Sequence, residues 1–432
     1  MMTKRKHYIL FVIILLALPL ILAQVLISKK AEAVVLSAIK ESAPKPDPNP
    51  FIVQLLADYE KKIDSLVSQS HTPGAAIAIV YDSTIIFLKG VGVRKVGTHD
   101  LVDTHTVFRL ASVSKCFASF LTGILVEDSV LHWNDAVVQY LPDFSLQSSE
   151  ETKKLTLTHV LSHTTGLPYH TYTNMVEEGE GITTLLNRLK DVTLSAGVGQ
   201  EYSYQNVAYS IIGEVMKSVT GKGYDTLLQE KVFGPLKMEN ASVQYFSIIE
   251  NPNHATPHLF RKGNLVQATI TDTYYNVAPA GGVNASISDM ANWMIALLGN
   301  HEEVISSETL DKLYSPVIQA HSKNRNYGKT HLIRKSYYGL GWRVLHYPND
   351  TMIYHGGYVN GYRSEVAVNP KSRIAICILT NAPGELADNG IPVFYNLLYT
   401  KRDSIQAWED QQRKKILSKK NTSLKRLLTP FN

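Results

Sequence analysis

The chain has 432 residues, 44% hydrophobic and 19% charged, ordinary proportions for a globular protein with enough apolar sequence for a large core. Its net charge of +5 sits at the ends: residues 1–40 hold six Lys/Arg and one acid, residues 401–432 hold nine and three, and the body between them is at −6. A mildly acidic body excludes nucleic acid as the principal partner, and two cysteines, Cys116 and Cys377, exclude a disulfide framework.

Lys4-Arg5-Lys6 precedes an apolar run from Tyr8 to Ile27, broken only by Pro19 and Gln24, about the length that spans a bilayer. Residues 1–33 read in two ways. One is a signal peptide cut after Ala23 or Ala33; the other is an uncleaved anchor with Lys4, Arg5 and Lys6 on the cytoplasmic side. Both export the body to the periplasm or another extracytoplasmic space. Residues 34–50 form a tether with Pro at every second position from Pro44, a stiff extended spacer. The body spans residues 51–400. The basic tail, residues 401–432, is expected to be solvated or frayed, with contact to anionic lipid as the alternative.

Phe51 to Ser70 carries a helical apolar face through Leu55, Tyr59 and Ile63. Ala75–Tyr81 and Thr84–Val91 are apolar runs joined by Asp82-Ser83, a hairpin pattern. Residues 112–330 are richer in helix and loop patterns. Strand patterns return at Tyr338–Leu345, Thr351–His355, Arg363–Val368 and Ile374–Thr380; the last is apolar throughout, as in a strand covered on both faces. A helix over about Gly390–Tyr399, with Pro392 in its first turn, closes the body. This order predicts an α/β (α+β) fold. The N-terminal hairpin and C-terminal strands share one antiparallel sheet flanked by helices, with a mostly helical insertion and a cleft at the seam. Both cysteines fall in apolar patterns and are expected to be buried free thiols.

Ser112-Val113-Ser114-Lys115 follows a largely apolar run at the head of the insertion. On a helix, positions i and i+3 share a face, so the Ser112 hydroxyl has an amine within reach. A neutral Lys amine can take a Ser proton and make it a nucleophile. Ser37/Lys40 and Ser42/Lys45 share the spacing, so spacing alone does not select Ser112, and a helix N-cap is the competing structural reading of that serine. Context selects it. Tyr204-Gln205-Asn206 lies downstream, before a helix pattern. His355-Gly356-Gly357 lies further on, beside a strand pattern, with Tyr358 after it.

Taken in order, these segments resemble the serine β-lactamase and penicillin-binding-protein superfamily, in its class C β-lactamase-like branch. Thr72-Pro73-Gly74, Phe108-Arg109-Leu110-Ala111, Leu157 to Pro168, Pro279-Ala280-Gly281-Gly282 and Tyr338-Gly339-Leu340-Gly341-Trp342 extend the likeness over about residues 52–400. The resemblance implies a β-lactamase/transpeptidase-like fold with Ser112 as nucleophile and Lys115 and Tyr204 as the groups that move its proton, either of them the base. It gives the Tyr204 phenol an acidity raised by the nearby Lys. Asn206 would orient Lys115 and the substrate amide, and the amides of Ser112 and Tyr358 would hold an oxyanion. His355, Gly356 and Gly357 would form the substrate-binding strand end, the glycines letting a substrate backbone lie close.

His355 stands where β-lactamases proper hold Lys. A partly charged His weakens recognition of a carboxylate, and Arg363 on the next strand pattern is a candidate replacement. The resemblance therefore implies an exported serine hydrolase acting through an acyl-enzyme on amide or ester bonds. D-amino-acid peptides or small esters rank ahead of antibiotics; a class C-like β-lactamase and a low-turnover penicillin-binding or scaffold protein are the alternatives. It calls for no cofactor and no metal: His159 and His163 have helical metal-ligand spacing, but no third ligand is evident. The oligomeric state is left open.

Overall fold

A computed structural model describes residues 49–320, 333–348 and 350–428, with side chains described as far as Ser418. The apolar N-terminal run and nearly all of the Pro-rich tether lie outside these residues. Among the described residues no helix is long and apolar enough to cross a membrane. Residues Gln54–Asn432 form one compact unit.

Helix α1 (Pro50–Ser70) leads into the hairpin β1 (Gly74–Tyr81) and β2 (Thr84–Gly92). The helical insertion follows, opening with a 3-10 turn at Ala111–Val113 and α2 (Ser114–Glu127), and containing α3 (Ile287–Leu297). The chain then returns through β3 (Ile318–Gln319), β4 (Lys335–Tyr338), β5 (Arg343–Tyr347), β6 (Asp350–Val359), β7 (Tyr362–Asn369) and β8 (Ile374–Thr380), and ends in α4 (Glu385–Leu428). One eight-stranded antiparallel sheet results, in the order β2-β1-β8-β7-β6-β5-β4-β3. β1 pairs with β8 from Ala75↔Thr380 to Tyr81↔Ile374, so both ends of the body meet in one antiparallel sheet, as the sequence predicts. Every residue of β8 is buried, because α3 packs on β1 and β8 and α4 covers β7 and β8. Edge strand β2 is exposed or half-buried along its length, and its Lys89 pairs with Glu60 of α1 at 2.8 Å. The core joins the insertion to the sheet through a stack in which Trp293 of α3 lies between Phe117 of α2 (3.9 Å between ring centroids) and Trp342 (5.8 Å). Cys116 and Cys377 are buried and free.

Three elements differ from expectation. The run Tyr338–Leu345 is two strands: Gly339 N–H donates to Trp342 O at 2.8 Å, closing a turn that reverses the chain. Arg343 then pairs across from Tyr338 on one side and Tyr354 on the other. The strand expected to end at His355 continues to Val359, so the glycine pair lies within it. β5 accompanies β6 only as far as Tyr354, and among the described residues no strand lies beside that edge of β6 beyond this point. The last helix begins at Glu385 and runs to Leu428, with Pro392 in its interior, where it forgoes an amide hydrogen bond. This helix passes through residue 400 without a break. In its basic part Ile405 is buried, Glu409 binds Tyr81 and Arg373, the latter at 2.8 Å, and Lys401 pairs with Asp58 at 3.1 Å.

Candidate active site

The turn carrying Ser112 is clamped from three sides. Leu110 N–H donates to Val283 O at 2.8 Å, Leu110 O accepts from Ser364 Oγ at 2.5 Å, and Ser114 Oγ accepts from Val283 N–H at 2.9 Å. Ala111 has a φ of 47°, an uncommon left-handed conformation for a residue with a side chain. Ser112 lies inside the 3-10 turn and caps no helix; the cap of α2 is Val113, with no side-chain hydrogen bond.

Lys115 is fully buried in the first turn of α2. Its Nζ lies 3.5 Å from Ser112 Oγ, 2.8 Å from Asn206 Oδ1 and 2.9 Å from Ala280 O. Burial pushes its pKa well below the usual lysine value; Arg343 adds to this and Cys116 opposes it. A neutral amine has two N–H bonds and one lone pair. With Asn206 and Ala280 accepting the two N–H bonds, the lone pair is left for Ser112.

Tyr204 is buried, its ring centroid 4.6 Å from Lys115 Nζ, and its hydroxyl hydrogen-bonds with Ser112. Burial drives the phenol pKa well above its ordinary value, with the Ser112 hydrogen bond and Arg343 acting the other way. This is opposite to the direction the resemblance implies. A neutral Lys115 supplies no charge to acidify the phenol, so Tyr204 keeps its proton.

His355 is buried on β6, with Nδ1 2.9 Å from Gly356 O and Nε2 3.1 Å from the Tyr338 hydroxyl. A carbonyl only accepts, so Nδ1 carries the proton and Nε2 accepts from Tyr338. Burial pushes its pKa well below 6.5, and Arg343 pushes the same way. The expectation of a partly charged His355 is thus corrected: the imidazole is neutral near pH 7. The two glycines serve the protein's own packing. A Cβ on Gly357 would stand 2.3 Å from Leu110 O and 3.0 Å from Ser112 N; one on Gly356 would meet the Tyr354 hydroxyl and, at 2.6 Å, Glu365 Oε2. Close approach of β6 to the Ser112 turn therefore requires glycine, and it brings the Tyr358 amide, one residue on, beside the turn. Tyr358 itself is 55% exposed.

Arg363, the expected replacement cation, is already engaged: it pairs with buried Glu365 and, at 2.9 Å, with Asp388 of α4. Arg343, which sequence reasoning passed over, stands by the site instead, its guanidinium 5.8 Å from the ring centroids of both Tyr204 and Tyr338. It has no ion-pair partner among the described residues, and its pKa is raised further by the surrounding tyrosines against the effect of burial. His163 was also passed over as a site residue. It is fully buried, its ring 4.3 Å from that of Tyr204, and its Nδ1 accepts from Gln205 N–H at 3.2 Å. His159 Nδ1 accepts from Thr156 N–H at 3.1 Å.

The chain matches the family model described as Beta-lactamase over residues 59–397. Curated relatives include an unguisins hydrolase of Aspergillus campestris, 24% identical over 363 residues (80% of this chain, 65% of the relative). Protein flp of Staphylococcus aureus is 24% identical over 348 residues (77% and 65%). The chain thus spans about 65% of the length of these relatives. Among solved structures, an octameric penicillin-binding protein homologue from Pyrococcus abyssi superposes with a TM-score of 0.67 at 21% identity, covering 79% of this chain and 77% of that one. EstCE1, a hydrolase with promiscuous acyltransferase activity, superposes with a TM-score of 0.68 at 18% identity, covering 80% and 99%. With the family model spanning most of the body, this chain belongs to the Beta-lactamase family and has the β-lactamase/penicillin-binding-protein fold of its serine hydrolases.

Proposed function

We propose that the chain is an exported serine acyl-hydrolase with Ser112 as nucleophile and Lys115 as its base. The observation that carries this reading is the buried Lys115 amine, anchored by Asn206 and Ala280 with its lone pair left for Ser112 Oγ at 3.5 Å. Lys115 takes the Ser112 proton as Oγ attacks the substrate carbonyl carbon. The amides of Ser112 and Tyr358 hold the oxyanion. Tyr204, protonated, gives its proton to the leaving amine or alkoxide and recovers one from Lys115. Water, deprotonated along the same route, then releases the acyl group.

The favoured substrates are D-amino-acid peptides or small esters. With His355 neutral and Arg363 engaged, Arg343 is the cation beside the site, and it suits a carboxylate on the leaving-group side. The same cation favours a β-lactamase as a second reading, which rapid nitrocefin hydrolysis would support. Export rests on the basic-then-apolar N-terminal sequence.

The test is acylation of the purified chain by a fluorescent penicillin and an activated ester, with the adduct mapped by mass. The expected adduct is on Ser112 and absent from Ser112→Ala. A wild type that forms none, with Ser112→Ala hydrolysing the ester equally well, would reject the reading.

A further inference from the structure

We propose that the cavity on the far side of Tyr358 is an acyl-side subsite in which Glu177 binds a protonated amine of the substrate. The inference rests on the serine acyl-hydrolase reading and narrows its substrates to acyl groups with a free amine, such as N-terminal aminoacyl units. The cavity, about 350 Å³, is lined by Glu177, Thr271, Thr273 and Tyr274 on one side and by Tyr358 and Asn360 at the end of β6 on the other.

The cavity adjoins the candidate site at three places. Tyr358 follows Gly357, the residue against the Ser112 turn. The Tyr274 ring packs on Gly281, next to the Ala280 carbonyl that holds Lys115. The Glu177 charge acts on His170, whose ring lies 5.5 Å from that of Tyr204.

Its walls are fixed. Buried Arg109 holds the Thr271 and Thr273 carbonyls at 2.9 and 2.6 Å. Asn276 Nδ2 donates to Val176 O at 3.2 Å and Glu180 O at 2.6 Å, tying the loop to the short helix Thr173–Glu177. Tyr274 donates its hydroxyl to Glu177 Oε1 at 3.0 Å, orienting a carboxylate that has no cationic partner among the described residues. Arg109 lies beneath the loop, its two terminal nitrogens donating to the Thr271 and Thr273 carbonyls and its guanidinium 4.5 Å from the Tyr275 ring centroid. The Asn360 amide is likewise occupied, donating to Thr269 O. The lining thus offers the Glu177 carboxylate beside the Thr271 and Thr273 hydroxyls, which bond each other at 2.7 Å, a set that suits an ammonium better than an anion.

The position along β6 gives the direction. Arg343 stands opposite Tyr354, and Tyr358 lies four residues further, about 13 Å at the rise of an extended strand. Gly357, against Ser112, lies between them. A substrate along this edge meets a cation on one side of its scissile carbonyl and a carboxylate on the other.

The experiment compares kcat/KM of the full chain on D-alanine p-nitroanilide, its N-acetyl form and its N-succinyl form. Wild type is expected to favour the free amine over the N-acetyl form by about tenfold or more. Glu177→Gln should bring that ratio near one, and Glu177→Lys should turn the preference to the N-succinyl substrate, which a misfolded variant cannot do. A wild type without preference for the amine, or a Glu177→Gln variant that retains it, overturns the subsite. Acylation of Ser112 by a neutral fluorophosphonate is measured in parallel. An adduct without amine preference rejects the subsite alone, and the absence of both adduct and turnover rejects the hydrolase reading with it.

Discussion

Asn206 Oδ1 lies 2.8 Å from Lys115 Nζ and is a neutral acceptor. It orients the amine without stabilising its charge, and burial then keeps the amine unprotonated. Asn206→Asp changes only that charge. A carboxylate there raises the Lys115 pKa, so the acid limb of kcat/KM on a neutral ester should move to higher pH. The acylation rate at pH 7 should drop, by about tenfold for each pH unit by which the limb comes to lie above about 7. Stopped-flow ester acylation across pH 5–10 checks this; an unmoved limb would remove Lys115 as base.

Arg343 has a guanidinium that stays charged at all relevant pH, whereas His355 is neutral. KM for a substrate with a free carboxylate should therefore be flat between pH 6 and 8. Arg343→Gln should lower the preference for the acid over its methyl ester by about tenfold. A KM that climbs through the range of histidine titration would return the role to His355.

His355 and His163 are both buried and neutral, each with a pKa pushed well below 6.5, first by burial and then by nearby positive charge. Their contribution to stability is fully present above the unfolded value of about 6.5 and is lost as pH falls below it, because only the unfolded chain takes up the protons. Each adds a slope of about 1.4 kcal/mol per pH unit down to its folded pKa. Urea unfolding at pH 7.5, 6.0 and 5.0 should show His163→Gln, altered beside Tyr204, less acid-sensitive than wild type by one such slope. Equal slopes would mean that His163 protonates in the fold.

Gly357→Ala places a Cβ 2.3 Å from Leu110 O, which forces β6 away from the Ser112 turn. The expected cost is about 1–3 kcal/mol of stability, with acylation falling by much more than the folded fraction does. Calorimetry and adduct formation on the same sample separate the two effects.

A chain ending at Thr400 loses buried Ile405, the Glu409 contacts with Tyr81 and Arg373, and the 3.4 Å contact of Arg402 with Asp350. It should be less stable by about 2 kcal/mol, mostly from apolar burial, with a Tm lower by several degrees. An unchanged Tm would show that the basic part of α4 only decorates the body.

Periodicity made the sheet legible, because the apolar runs Ala75–Tyr81 and Ile374–Thr380 are long and strongly patterned, and they are neighbours in the fold. It could not separate β4 from β5, where the apolar and aromatic pattern runs straight through a glycine turn. The Ser112, Lys115 and Asn206 cluster was legible as an order of short segments. Arg343 was not, since its place depends on a reversal that sets it opposite Tyr354. The neutrality of His355 depends on enclosure, and the engagement of Arg363 on Asp388, a partner 25 residues away on another element; one-dimensional spacing carries neither.

The pairing of β1 with β8 sets when the site can exist. Ser112 is made early, but the strand that lies against its turn, β6, reaches β1 only through β7 and β8. Until residue 380 is available, a growing or threaded chain has its serine and lysine but no wall bearing the Tyr358 amide. The segment between them must fold as an insertion around an open sheet. Without the last strand nothing in the sheet links β1 to the strand that lies against the Ser112 turn, and a chain cut before it is expected not to acylate.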